Sequence, residues 1–350
     1  MALFVFGAGA TRGCSFVAPQ QDPCLPPLDA DFFTQLQKVQ NQKHQKLIKS
    51  VIQDVVEVFG QNFSVTMETV FTTYENTIQM LEITGENRDF KKRDLKDKRE
   101  RLEQAIAVVF EDSLAEKDLA GHSRQTPKKC DHHNKFVREI LKAGDDIISF
   151  NYDCVLDYSL LDHGTGKWDP RYGYSFKLGS RGQLLSGDKP WCPNDPPAYN
   201  KTVHLYKLHG SLHFQISGDE TNPKVHLKQL PYTKQRGNMR FTIIPPEWHK
   251  AYGKGAFAKL WKDAASAIHK AKHIVLIGYS LPSTDLHSSA LFRTSAHRKA
   301  LKSLVIVNPN REARQRIRTI FQRALQPSTR VLSFDMFEHF VSADRSLWDL

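Results

Sequence analysis

Five short apolar runs, each closed by glycine, asparagine or histidine, constrain this chain more than any other feature. They are Leu3-Phe4-Val5-Phe6 before Gly7, Ile147-Ile148-Ser149-Phe150 before Asn151, Val203-His204-Leu205-Tyr206-Lys207-Leu208 before His209, Ile274-Val275-Leu276-Ile277 before Gly278, and Leu304-Val305-Ile306-Val307 before Asn308. Most are nearly continuous rather than alternating, so both faces of each strand are buried, as in a parallel sheet. Between them lie stretches with apolar residues three and four positions apart, such as Phe257, Leu260, Trp261 and Ala265, or Ile317, Ile320, Phe321 and Leu325. Strands alternating with helices predict an α/β fold: a Rossmann-like parallel sheet with helices on both faces. Further strands are expected at Phe241-Thr242-Ile243-Ile244, closed by Pro245-Pro246, and near Val331.

A long helical stretch interrupts this alternation. Asp29 or Asp31 is placed to cap a helix through Phe32, Phe33 and Leu36. The positions Leu47, Ile48, Val51, Ile52, Val55, Val56 and Phe59 form one helix face, and Met67, Val70, Phe71, Tyr74, Ile78 and Leu81 another. Residues 86–101 carry both charge signs and little to bury, which reads as a solvated loop and helix start; Leu102, Ile106, Val109, Phe110 and Leu114 continue as an amphipathic helix. Residues 121–129 read as a loop, and Gly144 as the residue that ends a helix through Phe136, Ile140 and Leu141. The sheet domain is therefore expected over residues 1–30 and 145–350, with residues 31–144 as a helical insertion. Residues 168–198, rich in glycine, proline and aromatics, are expected to be irregular.

The charge balance, 49 − 38 = +11, favours anionic partners. No apolar run approaches the ~20 residues of a membrane span, so no membrane role is expected. The apolar start is short, holds two glycines and has no basic lead-in, unlike a signal peptide. The five cysteines, Cys14, Cys24, Cys130, Cys154 and Cys192, are scattered without a C-x-x-C pair, so a zinc ribbon and indeed any metal are not expected; a reducing, cytoplasmic setting fits them. His132-His133 reads as a surface pair on a helix.

The strand ends carry the chemistry. Gly7-Ala8-Gly9-Ala10-Thr11-Arg12-Gly13 is a glycine turn whose backbone can approach a pyrophosphate and point amides at it, or else a tight turn with no ligand. Gly13 stands one place late for the G-x-G-x-x-G of hydride-transfer enzymes, and no strand ending in an acidic residue follows about twenty residues on. Ser149-Phe150-Asn151-Tyr152-Asp153 places an amide able to hold a ribose hydroxyl and a water, though Asn151 and Asp153 equally suit helix caps. Leu208-His209-Gly210-Ser211 offers a general base at a strand end. In residues 277–285, Gly278 and Pro282 break the strand and Ser283 or Thr284 can cap the next helix; Asn308 closes the last of these strands.

In this order the five motifs resemble the sirtuin-like NAD-binding family, in the branch found in bacterial anti-phage defence rather than the protein deacetylases. The resemblance covers residues 1–30 and 145–335. It implies a pyrophosphate loop of Gly7, Ala8, Gly9, Ala10 and Thr11, where the family often has Ser at the last place. It implies that Asn151 and Asp153 lie beside the nicotinamide ribose and that His209 is the catalytic histidine. Gly278, Ser280 and Asn308 match the loops around the adenosine; Tyr279, Asp285 and Ser211 complete the expected binding set. The four-cysteine zinc module of the deacetylases has no counterpart, which favours hydrolysis of NAD+, as substrate, over acyl-lysine removal.

The expected chemistry is cleavage of the nicotinamide–ribose bond, with Asn151 placing ribose and water, His209 as base and Asp153 in support. The implied setting is a homo-oligomer paired with a HerA-type ATPase, and nucleic acid reached through that complex. Two alternatives stay open at this point: an NAD-dependent protein deacylase, and a scaffold that binds nucleotide or nucleic acid through the +11 charge and Arg311, Arg314, Arg316, Arg318 and Arg323.

Overall fold

A computed structural model describes residues 1–84, 89–117, 123–175, 178, 202–217, 224–228, 232–233, 240–243, 255–282, 285–296 and 301–344. The chain opens with β1 (Ala2–Phe6) and a single helical turn, α1 (Ala8–Arg12). The helical stretch follows as α2 (Phe32–Lys38), α3 (Gln45–Phe59), α4 (Met67–Ile83) and α5 (Asp89–Leu114). A small antiparallel hairpin, β2 (Ala115–Lys117) and β3 (Ser123–Pro127), leads to α6 (Asp131–Lys135), which widens into a π turn over Phe136–Ile140.

Next come β4 (Asp146–Ser149), α7 (Val155–His163), α8 (Pro170–Gly173) and β5 (His204–Lys207). An antiparallel sheet of β6 (Gly210–Ser217), β7 (Lys224–Leu227) and β8 (Arg240–Ile243) then interrupts the parallel pattern, with β6 in its centre. The chain closes with α9 (Gly255–Lys270), β9 (His273–Ile277), α10 (Leu286–Ser295), β10 (Ser303–Val307), α11 (Arg311–Phe321), β11 (Arg330–Phe334) and α12 (Phe337–Ser342).

The main sheet has six strands in the order β11-β10-β9-β1-β4-β5, every pair parallel. Counted in chain order this is the doubly wound arrangement, whose winding direction reverses between β1 and β9. The Rossmann-like α/β architecture expected from the apolar runs is thus present. The two-residue period of a strand divides each run between two cores. Phe4, Phe6, Ile147, Leu205, Val275 and Val305 face Phe136, Leu160, Phe337 and Phe340; Leu3, Val5, Ile148, Leu276 and Ile306 face Leu260, Phe292, Ile317 and Phe321. A third core joins α2–α5 around Val55, Phe71, Tyr74, Ile106 and Val109.

Several local expectations change. Residues 123–127 are a strand rather than loop, because β2 supplies a hydrogen-bonding edge that the local sequence does not announce. Asp31 directly precedes α2 but accepts from the Leu28 N–H (2.7 Å), and Asp29 from the Glu68 N–H (2.9 Å), so neither caps the helix by side chain. The charged stretch is helical from Asp89. The π turn ends before Gly144, which takes a left-handed φ of 86° in the following turn. Residues 131–140 pack on the sheet through Phe136, Val137 and Ile140, not with the helical layer. Pro245, Pro246, Ser283, Thr284 and most of residues 168–198 beyond α8 lie outside the described residues. Among the described residues no helix is long and apolar enough to cross a membrane.

Candidate functional site

In a doubly wound sheet, ligands bind outside the carboxyl ends of the strands at the switch point. The chain leaves β1, β4, β5, β9 and β10 at that edge, and every expected site residue lies within a few positions of one of these strand ends or, for Asp285, at the start of α10. The switch point first shows what its glycines do. The Gly7 N–H donates to the Ile277 carbonyl (3.0 Å), the Gly9 N–H to the Gly278 carbonyl (2.9 Å), and the Ala10 N–H to the Gly7 carbonyl (2.9 Å). A Cβ on Gly9 would lie 2.7 Å from the Gly278 oxygen, and one on Gly278, at φ +63°, only 2.0 Å from the Ala10 nitrogen. The glycines therefore let the β1 and β9 loops touch. Two amides of the turn, those of Gly7 and Gly9, serve that contact, and the Ala10 N–H closes the turn itself.

Beyond the glycines, α1 carries Thr11 toward the β4 loop. Thr11 Oγ1 donates to Asp153 Oδ2 (2.7 Å) and accepts from Asn151 Nδ2 (3.2 Å), and all three side chains are buried. The other Asp153 oxygen accepts from the Val155 N–H (3.0 Å), closing a turn just ahead of α7, whose N-cap position is Cys154. Asn151 is held at both ends of its donor groups, since its N–H also reaches Ser149 Oγ (3.2 Å). Its Oδ1 is buried and has no hydrogen-bond partner among the described residues. A buried acceptor without a donor costs roughly 1–3 kcal/mol, a cost that a water or a ligand donor at this atom would remove.

His209 sits in the turn from β5 to β6, made possible by Gly210 at φ +75°. Its Nε2 lies 3.6 Å from Asp285 Oδ2, and both residues are buried. The same oxygen accepts from the Tyr279 hydroxyl (3.0 Å), while Asp285 Oδ1 takes the Ser288 N–H (3.1 Å) and so caps α10. Burial first, and the Asp285 charge second, push the Tyr279 phenol well up, which keeps it a proton donor to Asp285. Phe150 stacks on Tyr279 (4.3 Å between ring centroids) and meets the His209 ring edge-on at 5.1 Å. Leu281 in the same loop is held at φ +49°, a conformation rarely adopted by a residue with a side chain. Sequence reasoning gave Asp153 as support for His209; the carboxylate 3.6 Å from the ring is that of Asp285, reached only by folding. Phe150, read as strand, is a wall of the site.

The remaining expected residues have other partners. Asn308 Nδ2 donates to the Tyr279 carbonyl (3.2 Å) and its Oδ1 accepts from the Asn310 N–H (2.9 Å), so the amide ties the β9 and β10 loops together. Ser280 is exposed, and its carbonyl accepts from Arg316 of α11 (3.2 Å). Ser211 belongs to a second buried cluster. Its hydroxyl donates to the Tyr152 carbonyl (3.1 Å) and lies 2.7 Å from His213 Nδ1. His213 Nε2 meets the Tyr174 hydroxyl (3.0 Å), which donates to Asp157; Asp157 in turn pairs with Lys207 (2.9 Å). Lys207 also donates to the Asp153 carbonyl, linking the cluster to the β4 loop.

Burial alone opposes every charge in this second cluster. At Asp157 burial is the largest single influence, but the charges of Lys207 and His213 and the hydrogen bonds from Tyr174 and Lys207 together outweigh it, holding that carboxyl below its ordinary range. Nothing outweighs it at His213, which is pushed down to about 3 and stays neutral. Burial likewise pushes the Cys154 thiol up to about 12, so Cys154 is no nucleophile near neutral pH. His133, expected at the surface, is buried beside Cys14. Of the residues expected in the site, the structure thus brings Thr11, Asn151 and Asp153 into one group and His209, Tyr279 and Asp285 into another, with Phe150 and Tyr152 against the His209 ring. No protein-family model matches the chain, and no curated protein matches it.

Proposed function

We propose that the strand-end cluster cleaves the bond between nicotinamide and ribose in NAD+, making the protein an NAD+ glycohydrolase. The observation that carries this reading is Asn151: its amide is fixed through Nδ2, and Oδ1 is a buried acceptor with no donor among the described residues. It stands at the carboxyl end of a parallel strand, where nucleotides bind in such sheets, in the loop flanked by the rings that meet His209. A fixed acceptor of this kind suits a ribose hydroxyl or an attacking water.

The chemistry follows from the bond. The electron pair of the C1′–N bond goes to the pyridinium nitrogen, so nicotinamide leaves neutral and positive charge develops on the ribose. Asn151 holds the hydroxyl or the water, and the water oxygen bonds C1′. The proton released by that water passes to the His209 imidazole, and the Asp285 carboxylate, 3.6 Å from Nε2, stabilises the imidazolium formed. Tyr279 and the α10 N–H hold Asp285 for this task. The products are nicotinamide, ADP-ribose and a proton.

The resemblance to the sirtuin-like family supports reading this activity as anti-phage defence, in a homo-oligomer that works with a HerA-type ATPase and meets nucleic acid through it. The basic helix α11 is the candidate docking face: Arg314 pairs with Asp335 (2.8 Å) and Arg316 holds the Ser280 carbonyl, so a partner on α11 reaches the strand-end loops. The test is incubation of pure protein with NAD+, alone and with its neighbouring ATPase, followed by quantification of nicotinamide and ADP-ribose. Release of both without any acylated peptide is expected; release only with such a peptide makes the protein a deacylase, and no turnover in any condition refutes the reading.

A further inference from the structure

Three side chains outside both polar clusters meet at the base of the helical stretch. Cys14 follows α1, and Cys130 and His133 stand at the start of α6, 130 − 14 = 116 positions later. Their ligand atoms all lie within 4.8 Å of one another, all three residues are buried, and both cysteines are free thiols. We propose that Cys14, Cys130 and His133 bind one zinc ion.

The spacing suits three corners of a tetrahedron. Bonds of about 2.3 Å to sulfur and about 2.0–2.1 Å to nitrogen put a sulfur and a nitrogen about 3.5 Å apart around one ion, and two sulfurs about 3.8 Å apart. Cys14 Sγ lies 3.6 Å from His133 Nδ1. The imidazole is clamped between Phe6 (5.7 Å) and Phe337 (5.0 Å), so Nδ1 is aimed at the thiols before any ion arrives. Two thiolates and an imidazole are soft to borderline donors that select zinc over magnesium or calcium. A water completes the fourth corner, as in sites with three protein ligands.

Position assigns the ion its work. The chain leaves the sheet for the helical stretch just after Cys14 and returns to it at Cys130. The Asp131 N–H donates to Ser15 Oγ (2.8 Å), so the outgoing and returning segments already touch there. An ion shared by both segments closes a long loop in the folded state alone, and its binding free energy adds to stability. This holds whether or not the protein acts on NAD+.

The test uses the full-length protein, reduced and freed of metal, titrated with zinc against a competing chelator and, in parallel, with cobalt. One equivalent of either metal per chain is expected, with a thiolate-to-cobalt charge-transfer band and a melting temperature raised by several degrees. Cys130→Ser and His133→Ala should each weaken zinc binding more than about a hundredfold, beyond what loss of an outer hydrogen-bond partner costs. If either variant fails to fold, the wild-type cobalt spectrum decides. Folded wild type that takes up neither metal, cobalt bound without a thiolate band, or unchanged affinity in both variants overturns the proposal.

Discussion

Two buried polar clusters lie side by side at the carboxyl edge of the sheet, and they are built on opposite terms. The Lys207–Asp157–His213–Tyr174 cluster closes on itself: Asp157 takes bonds from Lys207 and Tyr174, and His213 meets Tyr174 and Ser211. The Thr11–Asn151–Asp153 cluster is equally well fixed but leaves Asn151 Oδ1 without a donor among the described residues, and the His209–Asp285 pair stands in the next loops. A closed network specifies structure, whereas a rigid network with one open acceptor is prepared for a ligand. The difference separates a cluster that supports the fold from the one proposed to work, although a histidine lies beside an aspartate at each, His213 by Asp157 and His209 by Asp285.

The largest effect should come from opening the closed cluster. Lys207→Met leaves the Asp157 carboxylate buried and uncompensated, which costs about 3–5 kcal/mol, and replacing Asp157 by Leu as well should restore most of it. Urea denaturation of the single and double variants measures this; a loss below about 1 kcal/mol would mean the cluster is not closed. Next, Gly278→Ala combines left-handed strain with collision against Ala10 and should cost about 2–4 kcal/mol. Gly166→Ala has a similar φ, +82°, but open space around it, and should cost only about 1–2 kcal/mol. Equal losses would deny that the β1 and β9 loops depend on their close approach.

A further effect, smaller than that of opening the closed cluster, is on pH dependence. His213 binds its proton only near pH 3 when folded but near 6.5 when unfolded. Between these values the unfolded chain holds a proton that the folded one lacks, so stability falls as pH drops through that window. At about 1.36 kcal/mol per pH unit, going from pH 7 to pH 5 should remove about 2 kcal/mol through this group. His213→Asn should lose that part of the slope; an unchanged slope would place the proton elsewhere.

The parallel sheet was legible because runs such as Ile274-Val275-Leu276-Ile277 are apolar on both faces, which few other environments accept. The hairpin at Ser123–Pro127 was not, because Ser-Arg-Gln-Thr-Pro has no apolar period and pairs only with a three-residue partner. Asn151 and His209 could be singled out because a polar residue closing an apolar run must sit at a strand end. Their partners could not: Asp285 meets His209 across 285 − 209 = 76 positions, and Thr11 meets Asp153 across 142. The glycine turn carries a second demand that its spacing did not announce: the missing Cβ atoms at Gly7 and Gly9 make room for another loop of the same chain.

The central claim, that the strand-end loops at the switch point form a catalytic site, is tested most directly by NAD+ turnover of wild type and His209→Ala, compared per folded molecule, alone and with the proposed ATPase. Loss of a general base should lower the rate about a hundred- to ten-thousand-fold while the circular dichroism spectrum is unchanged. Turnover by folded His209→Ala within about twofold of an active wild type would contradict the account.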